Sequence, residues 1–131
     1  MKCYVIVILL AISLALLGGV AYAVTLTPQT ITTDGLVITP VAATNTEYEF
    51  SNLGREFIYI NNASASTLNY TVTIPGTVSG YELEDITGTV GSGVTVYVGP
   101  FNPTFANAAD GNVDFTIDIT ASVTLAVLRL P

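Results

Sequence analysis

The chain has no histidine, no tryptophan and one cysteine, Cys3, and it carries only three Lys and Arg against ten Asp and Glu in 131 residues. Each shortage removes a class of function. Without an imidazole there is no Ser-His-Asp or Cys-His nucleophile and no histidine-ligated metal centre. One cysteine cannot close an intrachain disulfide or build a zinc finger. A formal charge of −7 with so few cations makes the chain a poor candidate for sequence-independent nucleic-acid binding, which needs clustered Lys and Arg to displace counterions from phosphates. The sequence therefore predicts no catalytic set, no cofactor and no nucleic-acid partner.

What is present begins with a segment unlike the rest. Lys2 supplies a positive start, Tyr4 to Leu17 is apolar apart from Ser13, and Ala21-Tyr22-Ala23 forms an A-x-A cleavage pattern. That is the layout of a secretory signal peptide. The competing expectation is a retained anchor, since the apolar run from Tyr4 to Leu26 is long enough to span a bilayer. Either way the sequence predicts a hydrophobic helix over residues 1–23, signal or anchor, and a single domain over 24–131. Contact with a membrane is expected only through residues 1–23, if they are kept. Cleavage would remove both Lys2 and Cys3, leaving Arg55 and Arg129 as the only cationic side chains. An exported domain so composed depends on its core rather than on disulfide staples.

From residue 24 onward the pattern is β. Leu68-Tyr70-Val72-Ile74 alternates with Thr67-Asn69-Thr71-Thr73 and ends at Pro75-Gly76. Val113-Phe115-Ile117-Ile119 alternates with Asp114-Thr116-Asp118-Thr120, and Val94-Val96-Val98 with Thr95-Tyr97. Phe57 to Ile60 and Val123 to Leu130 are apolar on both faces, as central strands are. Leu36 to Val41, Tyr48 to Phe50, Tyr81 to Leu83 and Ile86 to Val90 are weaker candidates. Turn residues recur between them, among them Asp34-Gly35, Asn61-Asn62, Gly91-Ser92-Gly93 and Asp110-Gly111. About eight or nine short strands at this spacing predict an all-β fold, an antiparallel β-sandwich or jelly roll. Gly99 to Ala109, with two prolines and two phenylalanines, predicts a packed Ω-type loop.

Candidate chemistry is sparse. Glu82, Glu84 and Asp85 form one acidic cluster, and Glu47 and Glu49 another. Without tryptophan platforms or a large domain, neither suggests a glycosidase pair, and acids on wet strand faces explain them. Asp110, Asn112 and Asp114 match the opening of a calcium loop, but Phe115 stands where glycine is required and Ala121 where glutamate is. They remain a weak calcium candidate beside the simpler expectation of an Asp-Gly turn feeding a strand. Asn62-Ala63-Ser64 and Asn69-Tyr70-Thr71 are N-x-S/T sequons, which makes Asn62 and Asn69 glycosylation candidates. Arg55, next to Glu56, and Arg129 are candidates for structural salt bridges or interface anchors.

Several segments together resemble a family of small phage head-associated, decoration-type proteins. They are GREFIYINN at Gly54–Asn62, YTVTIP at Tyr70–Pro75, GPF at Gly99–Phe101, ADGNVDFTID at Ala109–Asp118 and VTLAVLRL at Val123–Leu130. The resemblance spans roughly Thr32 to Leu130. It implies a compact β-sandwich that binds a repeating protein shell without catalysis. The export-like N-terminus departs from that family, whose members assemble in the cytoplasm. At the level of architecture the chain is also similar to subunits of extracellular filaments built by donor-strand exchange, in which an extended segment completes a neighbour's sheet. Val24 to Thr32 would be that segment, with Val24, Leu26 and Ile31 as the inserted side chains. The leading expectation is a non-enzymatic, exported structural subunit that assembles with copies of itself into an extracellular filament, tube or coat. The alternatives are a virion protein and a secreted binding module or adhesin using Tyr48, Tyr59, Tyr81, Tyr97, Phe101 and Phe105.

Overall fold

The structure, a computed structural model, describes residues 22–131. The helix expected over residues 1–23 falls outside them, apart from Tyr22 and Ala23, which carry no regular secondary structure. Twelve strands follow: β1 Val24–Thr25, β2 Gln29–Thr30, β3 Val41–Ala42, β4 Glu47–Ser51, β5 Glu56–Asn62, β6 Leu68–Thr73, β7 Thr77–Val78, β8 Tyr81–Glu82, β9 Ile86–Val90, β10 Val94–Val98, β11 Asn112–Ile117 and β12 Val123–Arg129. One turn of 3-10 helix, Pro103–Phe105, lies between β10 and β11.

The strands form two sheets, a sandwich-like all-β arrangement. Sheet A runs β1-β4-β11-β6-β9, and sheet B runs β10-β5-β12-β2, with β3 also on β12. A separate two-stranded sheet joins β7 and β8. The two expected central strands, β5 and β12, do lie inside sheet B, with Leu125 opposite Ile60 and Arg129 opposite Glu56. The expected antiparallel pattern needs one correction. β1 is parallel to β4 and β2 is parallel to β12, so both large sheets are mixed.

The parallel pairs arise from the N-terminal segment, which crosses from one sheet to the other. Val24 and Thr25 join the edge of sheet A, Pro28 intervenes, and Gln29 and Thr30 join sheet B. Between the two, Leu26 drops into the core and is only 6% exposed. The free donor strand suggested by the sequence is thus spent within its own fold. Val24 packs against the core and Ile31 is half-buried, with its N–H donating to the Arg129 carbonyl. Of residues 36–41, expected as a strand, only Val41 pairs, together with Ala42 just beyond them. Pro40 lacks a backbone donor, and the Gln29 side-chain amide grips the Thr39 backbone at 2.8 and 3.0 Å in place of a ladder.

The core lies between the inward rows of the sheets. Phe115 of sheet A stacks on Tyr48 at 5.4 Å and meets Phe50 edge-on at 6.1 Å, and Phe101 meets Phe50 at 5.8 Å. Each such ring pair adds about 0.5–1.5 kcal/mol beyond its burial. Phe101 belongs to the loop from Gly99 to Ala109, which is packed down as its composition suggests. At Gly99 (φ +132°) a Cβ would come within 2.7 Å of the Glu56 carbonyl. Only glycine lets this corner close against β5.

Candidate interaction surface

The inward row of β5 is Glu56, Ile58, Ile60 and Asn62, so a polar side chain is buried at each end of an apolar strand. Both are fully partnered. Oε2 of Glu56 accepts from the N–H groups of Leu53 and Arg55 at 2.7 and 2.9 Å. Oε1 accepts from Nε of Arg129, brought opposite by the β5–β12 register. Burial pushes this carboxyl up, but the Arg55 N–H, the Arg129 guanidinium and the Leu53 N–H together hold it below the ordinary carboxylate range. Of the two arginines, Arg129 is therefore a structural partner. Arg55 is exposed, and among the described residues its guanidinium makes no ion pair.

At the other end, Nδ2 of Asn62 donates to the carbonyls of Ser66 and Val90 at 2.8 and 2.9 Å, while Oδ1 accepts from the Ser64 hydroxyl at 2.6 Å. A glycan on that nitrogen is incompatible with this fold, which corrects the first glycosylation candidate. Asn69 is exposed. Its Nδ2 donates to Asp118 at 2.6 Å, and its backbone N–H donates to the same carboxylate at 2.8 Å. Those bonds hold the Asp118 carboxyl below its usual range.

Asp110, Asn112 and Asp114 do not form an ion cage. Asp110 closes an Asx turn onto the Asn112 N–H at 2.9 Å, and Gly111 has φ +76°, as an Asp-Gly turn requires. Asp114 lies across the ladder from Glu49. Burial, then Asp110, then Glu49 push its carboxyl up. Among the described residues no group of three or more metal-ligating side chains is placed to hold an ion. Glu82, Glu84 and Asp85 line a shallow open depression beside the β7–β8 hairpin. Asp85 is spent on the Ile74 N–H at 2.9 Å.

The outward face of sheet A is a polar ladder. Thr25, Glu49, Asp114 and Thr73 form one row, and Glu47, Thr116, Thr71 and Thr87 the next. The outward face of sheet B differs. Tyr59 and Tyr97 are opposite one another on β5 and β10, with ring centroids 5.5 Å apart at 64°. Tyr97 is 58% exposed and Val94, on the same strand, 44%. Of the six aromatics proposed for an adhesin, Tyr48 and Phe101 are buried, Phe105 packs against the core and Tyr81 stands apart on β8. Only Tyr59 and Tyr97 are brought together.

The two sides of the molecule are finished unequally. On one side the short strands β1, β2 and β3 close the sheets. On the other, β9 ends sheet A and β10 ends sheet B, joined by Gly91-Ser92-Gly93. No charged residue occurs from Ile86 to Ala109. An edge strand without charge, proline or bulge offers its unpaired backbone groups to another strand. Alternating apolar and polar residues announce β9 and β10 in the sequence, but only the pairing reveals that both are edges.

The fold and this surface define a β-sandwich-like protein with one closed and one open side. Comparison with family models, with curated proteins and with solved structures finds no match to the chain.

Proposed function

We propose that the chain is a non-enzymatic structural subunit, exported and displayed outside the cell, that works by joining a repeating array of its own copies. The observation that carries this is the unequal finish of the sandwich, sealed by the N-terminal segment on one side and left with two uncharged edges on the other. An acidic chain of charge −7 repels its copies over most of its surface, and an uncharged edge is where that repulsion is least. Because Leu26 and its neighbours complete their own sheets, the array is built by edge and face contacts rather than by donor-strand exchange. The order β4-β11-β6-β9 in sheet A, with no two neighbours consecutive in the chain, favours a jelly-roll arrangement.

A second reading is a virion surface protein bound to a shell. What favours it is the position of the five phage-like segments, which make up β5, β6, β11, β12 and the Gly99–Phe101 corner, the centre of the molecule. Sedimentation and negative-stain microscopy of the purified protein test the first reading. Ordered oligomers or polymer are expected, and a monodisperse monomer at high concentration overturns it.

A further inference from the structure

We infer that the free edge of β10 is a homotypic contact, in which a second copy adds its own β10 antiparallel across a twofold axis at Val96. This rests on the reading of the chain as an assembling subunit and names how two copies meet.

The backbone directions at that edge follow from the hydrogen bonds of β5. Ala63 N–H donates to the Ser122 carbonyl at 2.9 Å and Leu130 N–H to the Arg55 carbonyl at 3.0 Å. In an antiparallel ladder hydrogen-bonded pairs alternate with non-bonded ones. The odd-numbered residues of β5 therefore face β12 with their N–H and C=O groups. Ile58, Ile60 and Asn62 face β10, opposite Val98, Val96 and Val94. Within β10, then, the N–H and C=O groups of Thr95 and Tyr97 point away from the molecule. These two residues flank Val96 symmetrically. A twofold through Val96 sets Thr95 against the partner's Tyr97 and Tyr97 against the partner's Thr95, and each gives and takes a backbone hydrogen bond.

The side chains agree with this placement. On the outer face Tyr97, already against Tyr59, gains the partner's Thr95 beside it. On the inner face Val94 gains the partner's Val98, covering a side chain now 44% exposed. Charge selects the occupant. A basic or acidic peptide finds no counter-charge on Ile86–Ala109, whereas a second copy presents the same neutral strand and keeps its carboxylates away. The result is one continuous sheet through two molecules, closed by symmetry and leaving β9 for further contacts.

The test uses the full-length chain and three variants. Thr95→Pro removes an outward donor and costs no bond to β5, and Tyr97→Lys places a charge on the edge. Val96→Cys, in a Cys3→Ser background, sets two cysteines opposite each other in a non-hydrogen-bonded pair, about 4.5 Å between Cα atoms and within reach of a disulfide. The expected result is a dimer by sedimentation whose dissociation constant rises at least tenfold in both edge variants. Their far-UV circular dichroism stays like wild type, and Val96→Cys forms a covalent dimer under mild oxidation. Oligomers that persist unchanged in a folded Tyr97→Lys chain, with no disulfide from Val96→Cys, overturn the β10 contact and leave the assembling-subunit reading standing. A wild-type monomer at all concentrations overturns both.

Discussion

Replacing Glu56 with glutamine changes the side chain's shape very little and should still destabilise the protein severely. The two carboxylate oxygens take three donors, the N–H groups of Leu53 and Arg55 on one and the Arg129 guanidinium on the other. Glutamine has one oxygen. Whichever way its amide turns, the NH2 group faces a donor, and at least one buried N–H loses its acceptor. An unsatisfied buried donor costs about 1–3 kcal/mol, and breaking a buried ion pair from one side about 3–5 kcal/mol. Arg129 retains some access to water, with its side chain 22% exposed, which places the expected loss nearer the lower figures. A loss of about 2–4 kcal/mol is a large part of the roughly 5–15 kcal/mol that holds a domain folded. It corresponds to a fall in melting temperature of about 10 °C or more. Urea unfolding followed by circular dichroism measures it directly. The sign with pH follows from the carboxyl being held below its ordinary range. Its contribution is fully present above the unfolded-state value of about 4.3 and is lost as pH falls through the lower folded value. The gap between wild type and Glu56→Gln should therefore be widest near neutrality and close in acid. A glutamine variant within about 0.5 kcal/mol of wild type at pH 7, below the usual single-site loss, would refute the assignment of this carboxylate as the clasp between β5 and β12.

Further outcomes can be checked by the same unfolding curves. Asp114→Asn should stabilise the chain at pH 7 by up to about 1 kcal/mol, because like charges opposite one another in a ladder repel. The Asp114 carboxyl is held above its ordinary value, so that gain should shrink as pH falls and the wild-type group protonates. Gly88→Val should cost about 1–3 kcal/mol, since its Cβ would come within 2.3 Å of the Tyr70 hydroxyl lying over it. Asn62→Ala should cost about 1–3 kcal/mol by leaving the Val90 and Ser66 carbonyls without their donor. Leu26→Ala should cost about 2–5 kcal/mol. That loss would separate a segment built into its own core from one waiting for a neighbour.

Much of the strand pattern was legible because alternation is a local signal. β9 and β10 fall on their expected residues, and β6, β11 and β12 within a few residues of them. β5 shows where the local signal fails. Phe57 to Ile60 is apolar on both faces, so nothing in that run says which side is inward. The parity was written just outside it, in Glu56 and Asn62, two polar residues in step with Ile58 and Ile60. Both looked like surface residues, Glu56 as a neighbour for Arg55 and Asn62 as a glycan acceptor, because their real partners are far along the chain. Arg129 reaches Glu56 only through the β5–β12 register, and Val90 reaches Asn62 only when β9 closes over it. The N-terminal segment was harder still. Val24 to Thr32 has the same alternation whether it completes its own sheets or another's, and within the single chain Leu26 lies in its own core. The open side of the sandwich is a property of strand order, which no short stretch of sequence carries.

The strand order also sets a timetable. β11 lies in the middle of sheet A and β12 in the interior of sheet B, yet both are made after every strand they pair with. Until they emerge, β4 and β6 have no strand between them, and β5 lacks β12 on one side. The earlier strands of a growing chain consequently have no stable partial sandwich to settle into, since loop closure must be met before distant pairs return any energy. The sandwich can therefore close only once the last two strands have been made. For a chain carried through a membrane as a thread, as proposed above, the position of the last two strands would supply the delay that such passage needs.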